Sequence, residues 1–169
     1  MKKRTVVVSA YPCCGKTYAF EHQDKYSILD SDSSSYSWLP VTKEGIKQRN
    51  PEFPNNYIAH IKENLGKVDI IFVSSHLQVR QAMKDAGIDF ITVYPDIDMR
   101  DEWVERMKRR GNDEKFIQFQ IENWDNFVNS IAFEPQGFCI VRLGHNEYIN
   151  VDYLYKLWLM KDDINRSFD

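Results

Sequence analysis

The residues best suited to chemistry lie near the N-terminus, where Gly15, Lys16 and Thr17 stand in succession. A lysine and a hydroxyl directly after a glycine are suited to a nucleotide, because the ammonium reaches the terminal phosphates and the hydroxyl takes a place on Mg²⁺. Glycine lets the backbone approach closely, so that successive N–H groups point at the phosphates. The triplet therefore predicts a site for ATP and Mg²⁺.

The wider segment 10–17 reads Ala-Tyr-Pro-Cys-Cys-Gly-Lys-Thr. It matches the phosphate-binding pattern G-x-x-x-x-G-K-[ST] with Ala10 in place of the first glycine, which is the smallest steric change available there. A candidate strand precedes the segment and a candidate helix follows it, as the pattern requires. The alternative is an ordinary strand–turn–helix in which the residues coincide by chance. We expect the nucleotide to be held by Ala10, Pro12, Cys13, Cys14, Gly15, Lys16, Thr17 and Tyr18, with Thr17 also on the metal.

The chain has three cysteines, Cys13, Cys14 and Cys139, which are too few and wrongly spaced for a disulfide framework or a zinc site. We therefore expect a reducing compartment, the cytoplasm. Cys13 and Cys14 suit a tight loop because they are small. A redox role for either thiol stays open, since a thiol at a helix N-terminus can have a lowered pKa.

Composition restricts the class of protein. The 169 residues include 22 Lys and Arg against 25 Asp and Glu, and the formal charge of −3 argues against a general binder of polyanions. An apolar share of 43% supports a folded core, whereas no apolar run approaches the ~18 residues that a membrane span needs. We expect a folded protein with no membrane partner.

Apolar runs alternate with segments of helical period along the chain, which predicts a parallel sheet covered by helices. The candidate strands are residues 5–9, 26–29, 68–74, 90–94 and 138–142. The clearest helical period covers 112–131, whereas 31–54 reads as a long loop or short irregular helices near a site. We therefore predict an α/β fold over 1–169, a single-domain three-layer α/β/α sandwich with a mostly parallel five-stranded sheet.

Two carboxylates, Asp30 and Asp32, follow the second candidate strand. Residues two apart in an extended segment point the same way, so both would face the carboxyl edge of the sheet, where open α/β sheets bind their ligands. Phosphoryl transfer needs one group to hold the metal and another to orient or deprotonate the acceptor. Asp30 and Asp32 are candidates for these roles, and the alternative is that they only begin a turn.

A cationic helix is predicted over 98–110, inside a segment 96–112 that we interpret as a short lid with a hinge at its end. At about 100° per residue, Arg106, Arg109 and Arg110 fall on one edge of this helix. Such arginines, closing over ATP, would neutralise charge in the transition state, and Arg106 and Arg110 are the better candidates. The alternative is a solvated face whose arginines pair with neighbouring acids.

The segment 10–17, with proline two places after its first position, resembles the loop of nucleoside monophosphate kinases and polynucleotide kinases. The triplet 30–32 is similar to the Asp-x-Asp of shikimate and dephospho-coenzyme-A kinases, and 70–77 with Arg80 looks like a segment of polynucleotide kinases. The resemblance implies a P-loop NTPase fold, with Asp30 near the waters of Mg²⁺ and Asp32 near the acceptor. The Asp-Gly-Phe-Pro-Arg signature of adenylate kinases is missing, since 74–78 reads Ser-Ser-His-Leu-Gln.

Together these features predict an ATP- and Mg²⁺-dependent kinase whose acceptor is a nucleoside monophosphate or a related small metabolite. His76 and Arg80 are candidate contacts to the acceptor, with a structural histidine and a surface arginine as the alternatives. Tyr36 and Trp38 suit either base stacking or local packing. A kinase of a nucleic-acid hydroxyl and a nucleotide-binding module without turnover stay open as other functions, and a homodimer stays open as the assembly.

Overall fold

The computed structural model describes residues 2–133 and 137–166, and the predicted domain limits at 1 and 169 lie outside them. Within the described residues the chain forms five strands and eight α-helices. The strands are β1 (Val6–Ala10), β2 (Ile28–Asp30), β3 (Ile70–Ser74), β4 (Phe90–Pro95) and β5 (Cys139–Leu143). The helices are α1 (Lys16–His22), α2 (Ser34–Ser37), α3 (Asn55–Asn64), α4 (Leu77–Asp85), α5 (Arg100–Arg110), α6 (Glu114–Glu122), α7 (Trp124–Phe133) and α8 (Val151–Arg166).

The five strands form one sheet in the order β2-β3-β1-β4-β5, and every neighbouring pair is parallel. The prediction of a mostly parallel, five-stranded sheet is therefore confirmed. In the centre, Ala10 at the end of β1 aligns with Ser74 of β3 and Val93 of β4. The loop that follows β1 consequently emerges between the ends of its two neighbours, at the edge where parallel sheets bind ligands.

Helices cover both faces of the sheet, as the predicted three-layer arrangement requires. Val6 and Val8 pack on one face with residues of α1 and α5–α8, whereas Val7 packs on the other face with α3 and α4. Side chains on successive residues of a strand point to opposite faces, so a strand buried on both faces must be continuously apolar. Among the described residues no helix combines the length and apolar character needed to cross a bilayer.

The helical period over 112–131 belongs to two helices rather than one. Asn123 separates α6 from α7, with φ −107° and ψ 7°, and its side-chain amide donates to the carbonyl of Phe119 at 2.9 Å. An asparagine side chain competes with the backbone for such hydrogen bonds and thereby favours the end of a helix. The apolar spacing continues across the break because Trp124 and Val128 enter the same core as Ile117.

The segment predicted as a lid contains a 3₁₀ turn, Ile97–Met99, followed by α5. Trp103 and Met107 of α5 lie fully buried in the core, and the Trp103 indole N–H donates to the carbonyl of Pro12 at 2.9 Å. Gly111 ends the helix in the left-handed conformation, with φ 82°. In this conformation α5 is packed against the loop after β1, so the segment does not project over the site as a separate lid.

Arg80 is buried on α4, where it is only 1% exposed. Its Nε donates to the carbonyl of Ser75 at 2.9 Å, and its Nη2 donates to the hydroxyl of Ser130 on α7 at 2.8 Å. The sequence predicts either a contact to the acceptor or a surface arginine at position 80, and the buried position of Arg80 corresponds to neither. Its guanidinium joins α4 to α7.

We predict that Arg80→Ala lowers the free energy of unfolding by about 2–4 kcal/mol, because the partly buried acceptors at Ser75 and Ser130 lose their donor and the buried side chain leaves a cavity. Chemical denaturation of both proteins measures this loss, with Gln78→Ala, an exposed position on the same helix, as the control. Equal stability of Arg80→Ala and the wild type would contradict the structural role.

Candidate functional site

The loop between β1 and α1 bends sharply at two residues with positive φ, Cys13 at 63° and Gly15 at 102°. Ala10 has no such conformation; it is the fully buried last residue of β1. The backbone at this position therefore accepts a side chain, which accounts for alanine where the pattern has its first glycine. A side chain at position 15 would be strained by its φ and would lie 3.4 Å from the ring of Tyr148.

Three consecutive carbonyls of this bend are hydrogen-bonded to surrounding elements. The Pro12 carbonyl accepts from the Trp103 indole at 2.9 Å, and the Cys13 carbonyl accepts from Arg106 Nη1 at 3.3 Å. The Cys14 carbonyl accepts from the backbone N–H of Ile149 at 2.9 Å. In a trans peptide the N–H of the next residue points opposite to the carbonyl. The amides of residues 13–15 therefore point away from these partners, and among the described residues they donate to none.

Lys16 extends its side chain back across the bend. Its Nζ donates to the carbonyl of Ala10 at 2.9 Å. Burial lowers the pKa of this ammonium, and the charge of Arg110 lowers it further, while Cys14, Asp30 and Asp32 act in the opposite direction. The ammonium thus lies among the groups that the sequence predicts to be functional, with a neutral oxygen as its hydrogen-bond partner.

Asp30 and Asp32 have different partners. The Thr17 hydroxyl donates to Asp30 Oδ2 at 3.3 Å, which places both predicted metal ligands side by side. Asp32 Oδ1 accepts from the backbone N–H of Ser34 at 2.8 Å, just before α2. The turn that the sequence offered as an alternative for Asp32 therefore forms. It leaves the Asp32 carboxylate exposed and close enough to Lys16 and His76 to act on the pKa of each.

His76 stands between β3 and α4, at the same edge of the sheet. Desolvation holds the pKa of His76 below its ordinary value of 6.5, and the positive charges of Lys16 and Arg49 lower it further. A further cation near His76 is Arg49, which no motif in the sequence singles out. It faces Trp38 across an antiparallel bridge, with its guanidinium carbon 3.9 Å from the centre of the indole. We call the segment 38–49 the arm; it folds back on itself, since Leu39 N–H donates to the Gln48 carbonyl.

A cavity of about 720 Å³ opens beside the bend and Lys16. Its lining residues are Cys13, Gly15, Lys16, Thr17, Tyr18, Arg106, Arg109, Arg110, Tyr148 and Ile149. Five of the eight predicted loop residues and the three predicted arginines thus line one cavity. The other three predicted loop residues, Ala10, Pro12 and Cys14, are not among its lining residues. Tyr148 and Ile149 were missed by the sequence analysis, because nothing in their local pattern indicates that the loop after β5 reaches the loop after β1.

Arg106 and Arg110, the two arginines predicted to neutralise charge in the transition state, lie in different environments. Arg110 is exposed, and it lowers the pKa of the Cys13 thiol by hydrogen bonding and by charge, although burial outweighs it and the net shift is upward. Arg106 is buried, and its Nη2 forms a 2.6 Å ion pair with Glu102. An arginine of a mobile lid would be exposed, whereas the Arg106 guanidinium is enclosed by rings and carbonyls of three segments.

Cys13 and Cys14 lie in environments that disfavour the thiolate form. Burial raises the pKa of Cys14 to about 12 and also raises that of Cys13. A reactive thiol needs a lowered pKa. The geometry therefore favours the interpretation of both residues as small members of the bend over a redox role.

No group of three or more His, Cys, Asp or Glu side chains suited to a metal occurs among the described residues.

No protein-family model and no curated protein matches this chain. The solved structure of an uncharacterized protein from Eubacterium ventriosum aligns with 94% of this chain and 97% of its own, at 13% identity and a TM-score of 0.45. A similarity at this level says nothing about the activity of the chain.

We predict that Glu102 gives the protein a stability that is lost in acid. Partial burial raises its pKa, but bonds from Arg106, His145 and the Asn146 amide outweigh this and lower the pKa from 4.5 to about 2. A depressed carboxyl pKa stabilises the fold above the unfolded value and loses this effect as the pH falls toward the folded value. The stability difference between the wild type and Glu102→Gln should therefore narrow as the pH falls from about 6 to about 3.

Denaturation curves at several pH values measure this difference. Glu105→Gln on the same helix is the control, because Glu105 is exposed and pairs only with an exposed lysine. A gap that stays constant with pH would contradict the assigned charge of Glu102.

Proposed function

We propose that this protein is a small P-loop phosphotransferase that moves the terminal phosphoryl group of ATP to an acceptor, a nucleoside monophosphate or a related small metabolite. The observation that carries the proposal is the bend at 12–15, whose carbonyls bond outward and whose amides 13–15 have no partner among the described residues. Successive backbone amides that face one concavity bind anions such as phosphates. Lys16 adds an ammonium at the same place.

The donor nucleotide fits the cavity beside the bend. The charged side chains among its described lining residues are Lys16, Arg106, Arg109 and Arg110, all cationic, although the whole chain carries a charge of −3. A volume of about 720 Å³ lies within the usual range for sites of small ligands. Tyr148, half exposed beside Gly15, offers an aromatic face for the nucleoside part.

Thr17 and Asp30 fit a magnesium ion. Both offer oxygen, the donor that Mg²⁺ prefers, and their side chains are already in contact. Mg²⁺ usually takes one or two protein oxygens, with phosphates and waters completing its shell, so a larger cluster of acids is not needed. When bound, the ion would screen the charge of the phosphates; Thr17 and Asp30 are the residues that would hold it.

The acceptor belongs on the side of Asp32 and His76. In the transfer, a bond forms between the γ-phosphorus and an acceptor oxygen, the bond to the β–γ bridging oxygen breaks, and ADP leaves. Asp32 is exposed there and orients the acceptor, taking a proton where the acceptor is a hydroxyl. Lys16 and the exposed Arg110 stabilise the charge that develops on the transferred group.

We predict that Lys16→Ala lowers ATP affinity and turnover by at least about 100-fold while the fold is retained, because the phosphates lose their ammonium. Asp32→Asn should lower kcat strongly and leave ATP affinity within about twofold, since Asp32 lies on the acceptor side. Calorimetry with ATP and a transfer assay over nucleosides, mononucleotides and 5′-hydroxyl oligonucleotides measure both effects.

Lys84→Ala, an exposed lysine on α4, is the matched control. Unchanged ATP affinity in Lys16→Ala would remove the basis of the proposal. ATP binding without transfer to any acceptor would favour the module without turnover.

The arm supports a second candidate, a kinase acting on a nucleic-acid hydroxyl. It exposes Trp38, together with the cations Lys43, Lys47 and Arg49, next to the proposed acceptor side. Aromatic faces that stack bases and cations that contact the backbone are the features by which proteins bind single strands.

Salt separates the two candidates. A polynucleotide acceptor predicts an acceptor affinity that falls steeply with salt, and Arg49→Ala should reduce the slope of log K against log[salt] by about one. A mononucleotide acceptor predicts a shallow dependence instead. Acceptor titrations from about 50 to about 300 mM salt measure the slope, with Lys84→Ala again as the control.

A further inference from the structure

Arg106 contacts both walls of the cavity. Its Nη1 donates to the Cys13 carbonyl in the bend at 3.3 Å, and its Nη2 donates to the Glu147 carbonyl in the loop after β5 at 2.8 Å. The guanidinium also lies between two rings, 3.8 Å from the centre of Trp103 and 4.0 Å from the centre of Tyr148. One planar side chain thus joins α5, the bend and the loop after β5.

Glu102 offsets the cost of burying the Arg106 charge. The side chain of Arg106 is only 3% exposed, and an unpaired charge in such a place would be costly. Glu102 Oε1 accepts from Arg106 Nη2 at 2.6 Å and from the Asn146 amide at 3.0 Å, while Oε2 pairs with His145 at 2.9 Å. The carboxylate therefore neutralises Arg106 and holds the loop after β5 at two further points.

We propose that Arg106 is a positioning residue that fixes Tyr148 relative to the bend at 12–15, so that the nucleoside and phosphate parts of ATP bind to one rigid unit. This inference rests on the proposed function for its ligand. Arg106 acts through the Cys13 carbonyl and the Tyr148 ring, because both of its Nη atoms donate to protein groups, whereas its buried Nε has no partner among the described residues. A lysine in its place keeps the charge but lacks the planar fork that bonds two carbonyls and stacks on two rings.

The first test is a double-mutant cycle on ATP affinity. Tyr148→Ala should weaken ATP binding about tenfold in the wild type, but less than about twofold in Arg106→Lys, where the ring is already displaced. Equal losses in the two backgrounds would overturn the proposal. Lys108→Ala is the control, since Lys108 is an exposed cation on the same helix and pairs with Glu105.

The second test needs no nucleotide. In Arg106→Lys, the amide of Ile149, which donates to Cys14, should exchange with solvent at least about tenfold faster, whereas amides of β1 should keep their rates. A general loss of stability would accelerate both sets alike, and that result, or unchanged exchange at Ile149, would also overturn the proposal. Glu102→Gln provides a milder variant, expected to change exchange in the same direction.

The two tests distinguish the two proposals. If the wild type does not bind ATP, the proposed function fails, and the exchange rates still decide whether Arg106 fixes the loop after β5. If the wild type binds ATP and the cycle is additive, only the positioning role fails.

Discussion

The candidate site depends on the orientation of three peptide groups. The carbonyls of Pro12, Cys13 and Cys14 bond outward, so the amides that follow them point the other way. Reversing any one of these peptides would place a carbonyl oxygen where an anion is proposed to lie. The Lys16 ammonium, the Thr17 hydroxyl and the cavity gain their proposed roles only from this orientation.

The groups that hold the bend come from distant parts of the chain. Trp103 and Arg106 lie 91 and 93 residues from their carbonyl partners, and both belong to α5. These contacts replace the predicted role of α5 as part of a lid with a structural one. A helix whose buried residues hold the bend in place cannot swing away without releasing it, so α5 serves as a support, and its exposed end carries Arg109 and Arg110.

The sequence predicts those features of the fold that depend on local residue pattern, such as the bounds of the strands. Buried parallel strands are apolar on both faces, so the five predicted strands agree with the structure to within two residues at either end. It does not predict which distant segments meet. Tyr148, Arg49 and the buried role of Arg80 all depend on tertiary contacts, and the break at Asn123 depends on one side-chain hydrogen bond. Asp30 and Asp32 have different partners, because Asp30 accepts from Thr17 and Asp32 from the amide of Ser34.

Charges of both signs surround Lys16. Arg106, Arg109 and Arg110 line the cavity with it, whereas Asp30 and Asp32 act against the burial and the Arg110 charge that lower the pKa of the ammonium. In the proposed function, a polyphosphate in the cavity would contact the arginines, and its terminal group would lie at Lys16 near the carboxylates. Those carboxylates repel a bare phosphate but attract a cation, so the terminal phosphate is favoured there only when Mg²⁺ accompanies it. In the proposed reaction this arrangement of charges would orient ATP along the bend, with its γ-phosphate toward Asp32, before any acceptor is bound.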